Sequence, residues 1–439
     1  MSDGSQPDDD PKPVNPFEAF SGNPFEALSG ADLQELFRML QSPGPVNWEI
    51  ARQVATGIAT ADIADDAGAG RRDRHLQPAT DQKGADELVQ LTRVAQLHVA
   101  DTTGLAEVGA VPVRVVNRVE WTEITLDGLR PVLEALSTTL TGDRGAVDPS
   151  QWPTNPAEAA QDPELIAGLI TALAPTLFGV QAGSLVGLLA QHALGQHDLP
   201  LPLAGDPQLA FVPSNVDSFA DDWSIERRDL RFALALREVV RCAPRSVPWV
   251  RARLLRLSSE YVSGYELRPE AIEEQLAEFL PEGFDPMSML ADLEAGNANL
   301  EAFPEIDIDP TRLLDGLRSE RQEPVRADLQ RFGSVLEGYT DTLVGLLTSS
   351  LAPGTERIDE ALRRHRVESG RHTDFVERML GLELERVHYE QGQRFCAGVV
   401  DRVGVEGLNR LWERDEMLPT SSELEAPGLW LARIDLDLP

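Results

Sequence analysis

Apolar residues recur at spacings of three and four through most of this chain, the period of one helix face, while strand-like runs are few and short. In the first half the helical stretches are "VNWEIARQVATGIATAD" from Val46, "GADELVQLTRVAQLHVAD" from Gly84, and Trp121 to Leu140. Beyond Asp221 the pattern predicts helices over 225–243, 247–265, 268–280, 311–322, 325–351, 355–368, 373–412 and 421–434. Gly and Pro fall where caps are needed, and Gly381 and Gly404 break the 373–412 stretch. "VPVRVVNRVEW" reads as a short strand. So does Leu209 to Val212, inside the irregular stretch "LGQHDLPLPLAGDPQLAFVPSNV". The expected fold class is mainly α, with a few short strands.

One segment has no charged residue at all, from Leu165 to His197. A membrane span needs about twenty apolar residues. Here Pro175, Gln181, Gln191 and His192 interrupt the run, and its flanks are the acidic Glu164 and Asp198. The segment is expected to be a buried helix pair. Its glycines Gly179, Gly183 and Gly187 would allow close helix approach, and His192 would be a core histidine.

The first 44 residues are rich in Pro, Gly, Asp and Ser and carry the direct repeat "NPFEAFSG" and "NPFEALSG" from Asn15. They read as a disordered tail in which "ADLQELFRML", directly after the repeat, is a helical patch able to grip a partner or fold back. The expected organisation is this tail over 1–44, an N-terminal helical region over 45–160 and a second helical domain over 161–439.

Composition narrows the function. The chain has 439 residues, 73 of them acidic and 39 basic, for a net charge of −34. Lys occurs only at positions 12 and 83. Such a surface repels phosphate backbones and disfavours nucleic acid as a partner. Two cysteines, Cys242 and Cys396, cannot build a disulfide framework, and the acidic start of the chain has no apolar leader. A cytoplasmic protein is expected. The sequence also lacks a phosphate-binding glycine loop and a G-x-S-x-G nucleophile elbow.

The candidate chemistry lies in "LREVVRCA" from Leu236. In an HExxH helix, two histidines four apart chelate zinc through neutral imidazoles, and the intervening glutamate activates the bound water. Here Glu238 keeps the glutamate position, while Arg237 and Arg241 stand at the histidine positions. A guanidinium stays protonated and offers a metal no lone pair. Arg-Glu-x-x-Arg alone is ordinary helix surface, but the apolar flanks "FALALREVVRC" turn this one inward. Farther along, "VLEGYTD" sets Glu337 and Asp341 four apart on another helix.

At these residues the chain resembles the zincin-like family of zinc-dependent metalloproteases and hydrolases of actinobacteria and their relatives, some of them associated with deazaflavin-cofactor biosynthesis. The likeness is carried by "LGQHDLPLP", "RRDLRFALALREVVR", "SVPWVRARL", "VLEGYTD", "YEQGQRFCAGVVDRVGVEGLNRLW" and "LPTSSELEAPGLWLARI", in consistent order from about Pro163 to Ile434. The resemblance implies a zincin-like helical scaffold over 161–439. Arg237 and Arg241 would take the two zinc-histidine places, Glu238 the general-base place and Glu337 the third-ligand place, with Asp341 behind it. In one branch of that family the first place is also Arg.

Neither histidine is present, so zinc is not expected, and Glu238 without metal-bound water is only a carboxylate. The expected occupant is an ion-pair cluster in which Arg237 or Arg241 hydrogen-bonds to Glu337. The function read from the sequence is that of an inactive relative which binds a peptide or protein, or regulates an active member. The alternative is a hydrolase with an unusual metal site or a metal-free mechanism.

Overall fold

The computed structural model describes residues 44–61, 82–141, 163–266, 316–351, 356–368 and 370–436. The tail with its repeat, the helix expected over 268–280 and residues 311–315 of the helix expected over 311–322 lie outside the described residues, as does the expected domain boundary at 160/161. Residues 318–321 of that expected helix are not helical.

The chain is mainly helical. In order come α1 (Trp48–Thr60), α2 (Gln82–Thr103), β1 (Val113–Val115), α3 (Arg118–Thr141), α4 (Pro163–His192), β2 (Leu209–Phe211), α5 (Pro213–Asp222), α6 (Arg227–Ser246) and α7 (Pro248–Val262). There follow α8 (Gln322–Leu351), α9 (Glu356–Glu368), α10 (Gly370–Met379), α11 (Arg386–Asn409), α12 (Ser421–Glu425) and α13 (Pro427–Leu436). β1 and β2 pair in parallel, with Val113 opposite Leu209 and Val115 opposite Phe211. Both lie where the pattern places strands.

One hydrophobic core runs from Ala51 in α1 to Ile434 in α13, anchored by Trp121, Tyr261, Tyr339, Phe395 and Trp430. The uncharged segment differs from expectation: it is one helix, α4, with Pro175 inside it, rather than a pair. At that point the start of α1 docks, and Asn47 N–H donates to the Pro175 carbonyl at 2.7 Å. Gly179 and Gly183 face the α1 backbone at Asn47 and Ala51, and a Cβ at either would strike a carbonyl oxygen. Their helix therefore lies closer to α1 than any larger residue allows. No helix among the described residues is long and apolar enough to cross a membrane.

The sequence pattern misses α5, which Pro213 opens in the first turn, where its missing N–H costs nothing. His192 is also corrected. It lies at the end of α4 with its side chain exposed, outside the core.

Candidate functional site

The site is assembled by α6 and α8, with residues 193–198 closing it. α6 begins on Glu226, whose carboxylate accepts the Asp229 N–H at 3.0 Å. From Ala233 through Ser246 every residue is buried, as the apolar flanks of the motif predict. Residues 237, 241 and 245 are four apart, so three guanidiniums follow one another along one helix face.

Arg237 donates to Asp341 Oδ1 at 3.1 Å. Arg241 approaches Glu337, with Nη2 3.7 Å from Oε2, an ion pair too long for a hydrogen bond. The expected short contact to Glu337 is thus not the one formed by Arg241. α6 and α8 do face each other, and they match charges along the pair.

Arg241, 3% exposed, also ties the 193–198 segment to α6. Its Nη1 donates to the carbonyls of His197 at 3.1 Å and Asp198 at 3.3 Å, and lies 3.8 Å from the Asp198 carboxylate. The segment is held from its other sides as well. Trp121 Nε1 donates to the Gly195 carbonyl at 3.2 Å, and Val212 N–H to the Leu194 carbonyl at 3.1 Å. Asp198 Oδ2 accepts from Leu194 N–H at 2.8 Å. Asn215 caps the last turn of α4 by donating to the carbonyls of Ala190 and Ala193.

Glu238 sits beneath this segment with no exposed surface. Its Oε2 accepts the His197 N–H at 2.7 Å, while Oε1 has no hydrogen-bond partner. Gly195 allows the approach, since a Cβ there would lie 2.6 Å from the Glu238 carboxyl carbon. Burial, and then the neighbouring Asp198 carboxylate, push the Glu238 carboxyl up to about 8, against the opposing pull of Arg241 and the His197 N–H. At neutral pH it is mostly protonated. Arg237, Arg241 and Arg245 stand with the carboxyl groups of Asp198, Glu337 and Asp341, three against three. The cluster is balanced.

This donor set does not fit zinc. A tetrahedral site needs lone pairs from imidazole, thiolate or carboxylate, and positions 237 and 241 supply none. Both nitrogen-bearing ends of Arg241 already face carbonyls and carboxylates. Among the described residues no three or more His, Cys, Asp or Glu side chains are placed to hold a metal ion. Cys242 and Cys396 are free and buried. Burial pushes the Cys242 thiol up to about 12 and raises Cys396 as well, so neither is poised as a nucleophile.

Sequence reasoning missed Asp198 and Arg245. Arg245 continues the Arg237–Arg241 spacing by one more turn, which was a readable signal. Asp198 had only its place in "LGQHDLPLP", whose contact with α6 spans more than forty residues of chain. His365 packs edge-on to Phe219, with ring centroids 5.0 Å apart.

The family described as zincin-like metallopeptidase matches residues 46–431. No curated protein matches the chain. Among solved structures, a protein from Chloroflexus aurantiacus described as a "putative hydrolase with a novel fold" is similar. It has 22% sequence identity and a TM-score of 0.51, over 89% of this chain and 99% of that one. At this identity the likeness concerns the fold alone.

Proposed function

The chain belongs to the zincin-like metallopeptidase family, and from that premise we propose that it is a catalytically inactive, zinc-free member that binds a peptide or protein in the cytoplasm, as a regulatory or recognition module. The observation that carries this reading is Arg241. It stands at a zinc-ligand place and is engaged by the carbonyls of His197 and Asp198 and by the Glu337 carboxylate. The same geometry supports a loss of the peptidase chemistry. A general base must be ionised and must reach the water it activates. Glu238 is fully buried, bonded to a peptide N–H and mostly protonated at neutral pH.

The rival reading is a hydrolase that works without zinc or with an unusual metal. Incubation of the purified chain with casein and a peptide library, beside Glu238→Gln, separates the two. The proposal predicts no cleavage above buffer by either protein. Turnover by the natural chain that disappears in Glu238→Gln would overturn it.

A further inference from the structure

The segment "ADLQELFRML", residues 31–40, lies outside the described residues, and its sequence specifies a helix. Leu33, Leu36, Phe37 and Leu40 fall on one apolar face, while Asp32, Glu35 and Arg38 fall outside it. Ser29 and Asp32 have the S-x-x-D spacing of a helix start, and Pro43 stops the helix soon after Leu40. A helix of this length is marginal alone in water. Its apolar face needs a surface to cover it.

The point where the chain re-enters the described residues limits that surface. The Pro45 carbonyl accepts from Ser137 Oγ at 2.6 Å, Asn47 N–H is bound to the Pro175 carbonyl, and Asn47 Nδ2 donates to Thr176 Oγ1 at 3.4 Å. Residues 45–47 are thereby fixed against α4 at Pro175 and Thr176. Leu40 stands four residues before Gly44, a reach of at most about 14 Å. A tether this short holds the segment at an effective concentration on the order of millimolar.

Beside that anchor, α4 presents Leu177, which is 57% exposed. With Val180, Gln181, Ser184 and Leu188 it forms a strip turned away from the glycines that meet α1. Gln181 is exposed and the other three are partly exposed. The strip carries no charge, in a chain whose net charge is −34. It is about 16 Å long from Leu177 to Leu188, and residues 31–40 as a helix are about 15 Å. A second copy of the chain is a poorer occupant, because two such acidic bodies repel. We propose that residues 31–40 dock in cis on this strip, antiparallel to α4, with Phe37 and Leu40 against Leu177 and Val180 and with Leu33 toward Leu188. The segment then covers α4 in the free protein, and a partner for that face must first displace it.

Hydrogen exchange of the full chain, read by mass spectrometry, tests the docking. The amides of residues 33–40 should exchange at least tenfold more slowly in the natural protein than in Leu177→Glu, with those of α6 and α8 alike in both. A second measurement reads the other side of the contact. Leu177→Cys should react with maleimide at least tenfold more slowly than Leu177→Cys/Phe37→Glu, over the slow background of the buried Cys242 and Cys396. Both results should survive tenfold dilution of the protein. Exchange at the rate of a free peptide in the natural chain, protection that persists in a folded Leu177→Glu, or equal maleimide rates would overturn the assignment. So would protection lost on dilution, the mark of a second copy. If Leu177→Glu fails to fold, the maleimide comparison decides alone.

Discussion

Glu238 and His197 are joined by a hydrogen bond, yet burial moves their protonation in opposite senses. Folded, Glu238 keeps its proton up to about pH 8, whereas its ordinary value is 4.5. Between those values the native state binds more protons than the unfolded chain, so this group lowers stability as pH rises through the window. His197 is depressed from 6.5 to about 3, so the unfolded state binds its proton more readily and stability falls as pH drops through that range. For this pair the optimum lies between 4.5 and 6.5. Glu238→Gln removes one limb. The drop in Tm from pH 5 to pH 9 should be smaller in the variant than in the natural protein, and an equal drop would mean that Glu238 is already ionised at pH 5. Arg241→Met tests the ion-pair cluster. It strands the Glu337 and Asp198 carboxylates and two carbonyls, and urea unfolding should show a loss of about 3–5 kcal/mol, as for a broken buried pair. A loss below about 1 kcal/mol would mean the cluster is solvated.

Close helix crossings carry the architecture at the scale of elements. α8 and α11 meet where Gly338 and Gly392 face each other, and a Cβ on Gly392 would fall on the Ser334 carbonyl. Gly392→Ala should therefore push the two helices apart and cost about 1–3 kcal/mol in denaturant unfolding, the range for overpacking. Ala at Gly345, where nothing lies within 4 Å, is the control and should be neutral or slightly stabilising. The helices themselves were legible because amphipathic spacing is local. Both strands were too, since β-branched and apolar residues cluster at Val113–Val115 and Leu209–Phe211. The failures were also local in origin. Pro175 looked like a helix break because the α1 contact that accommodates it lies far off in sequence, and "PSNVDSFADD" is too short and polar to stand out before Asp221.

The net charge of −34 makes the whole molecule repel itself, and salt screens that repulsion with a Debye length of about 8 Å at 0.15 M. Raising NaCl from 20 to 300 mM should raise Tm. A fall would mean that attractive surface pairs, such as Arg253 with Asp415 at 2.6 Å, outweigh the net repulsion. The candidate site was legible only in part on this larger scale. Arg237, Glu238 and Arg241 could be read as a motif, and the resemblance pointed to Glu337 and Asp341 as their partners. Asp198 and Arg245 could not be read in the same way. Their roles come from how the 193–198 segment lies across α6, a tertiary contact with no repeating signature in the chain.

The most direct test of the account is the zinc content of the purified chain by elemental mass spectrometry, beside the double variant Arg237→His/Arg241→His. The prediction is no stoichiometric zinc in the natural protein and about one per chain in the variant, as expected for a zincin frame given back two imidazoles beside Glu337. One zinc per chain in the natural protein would contradict the claim that Arg241 has taken the place of the metal.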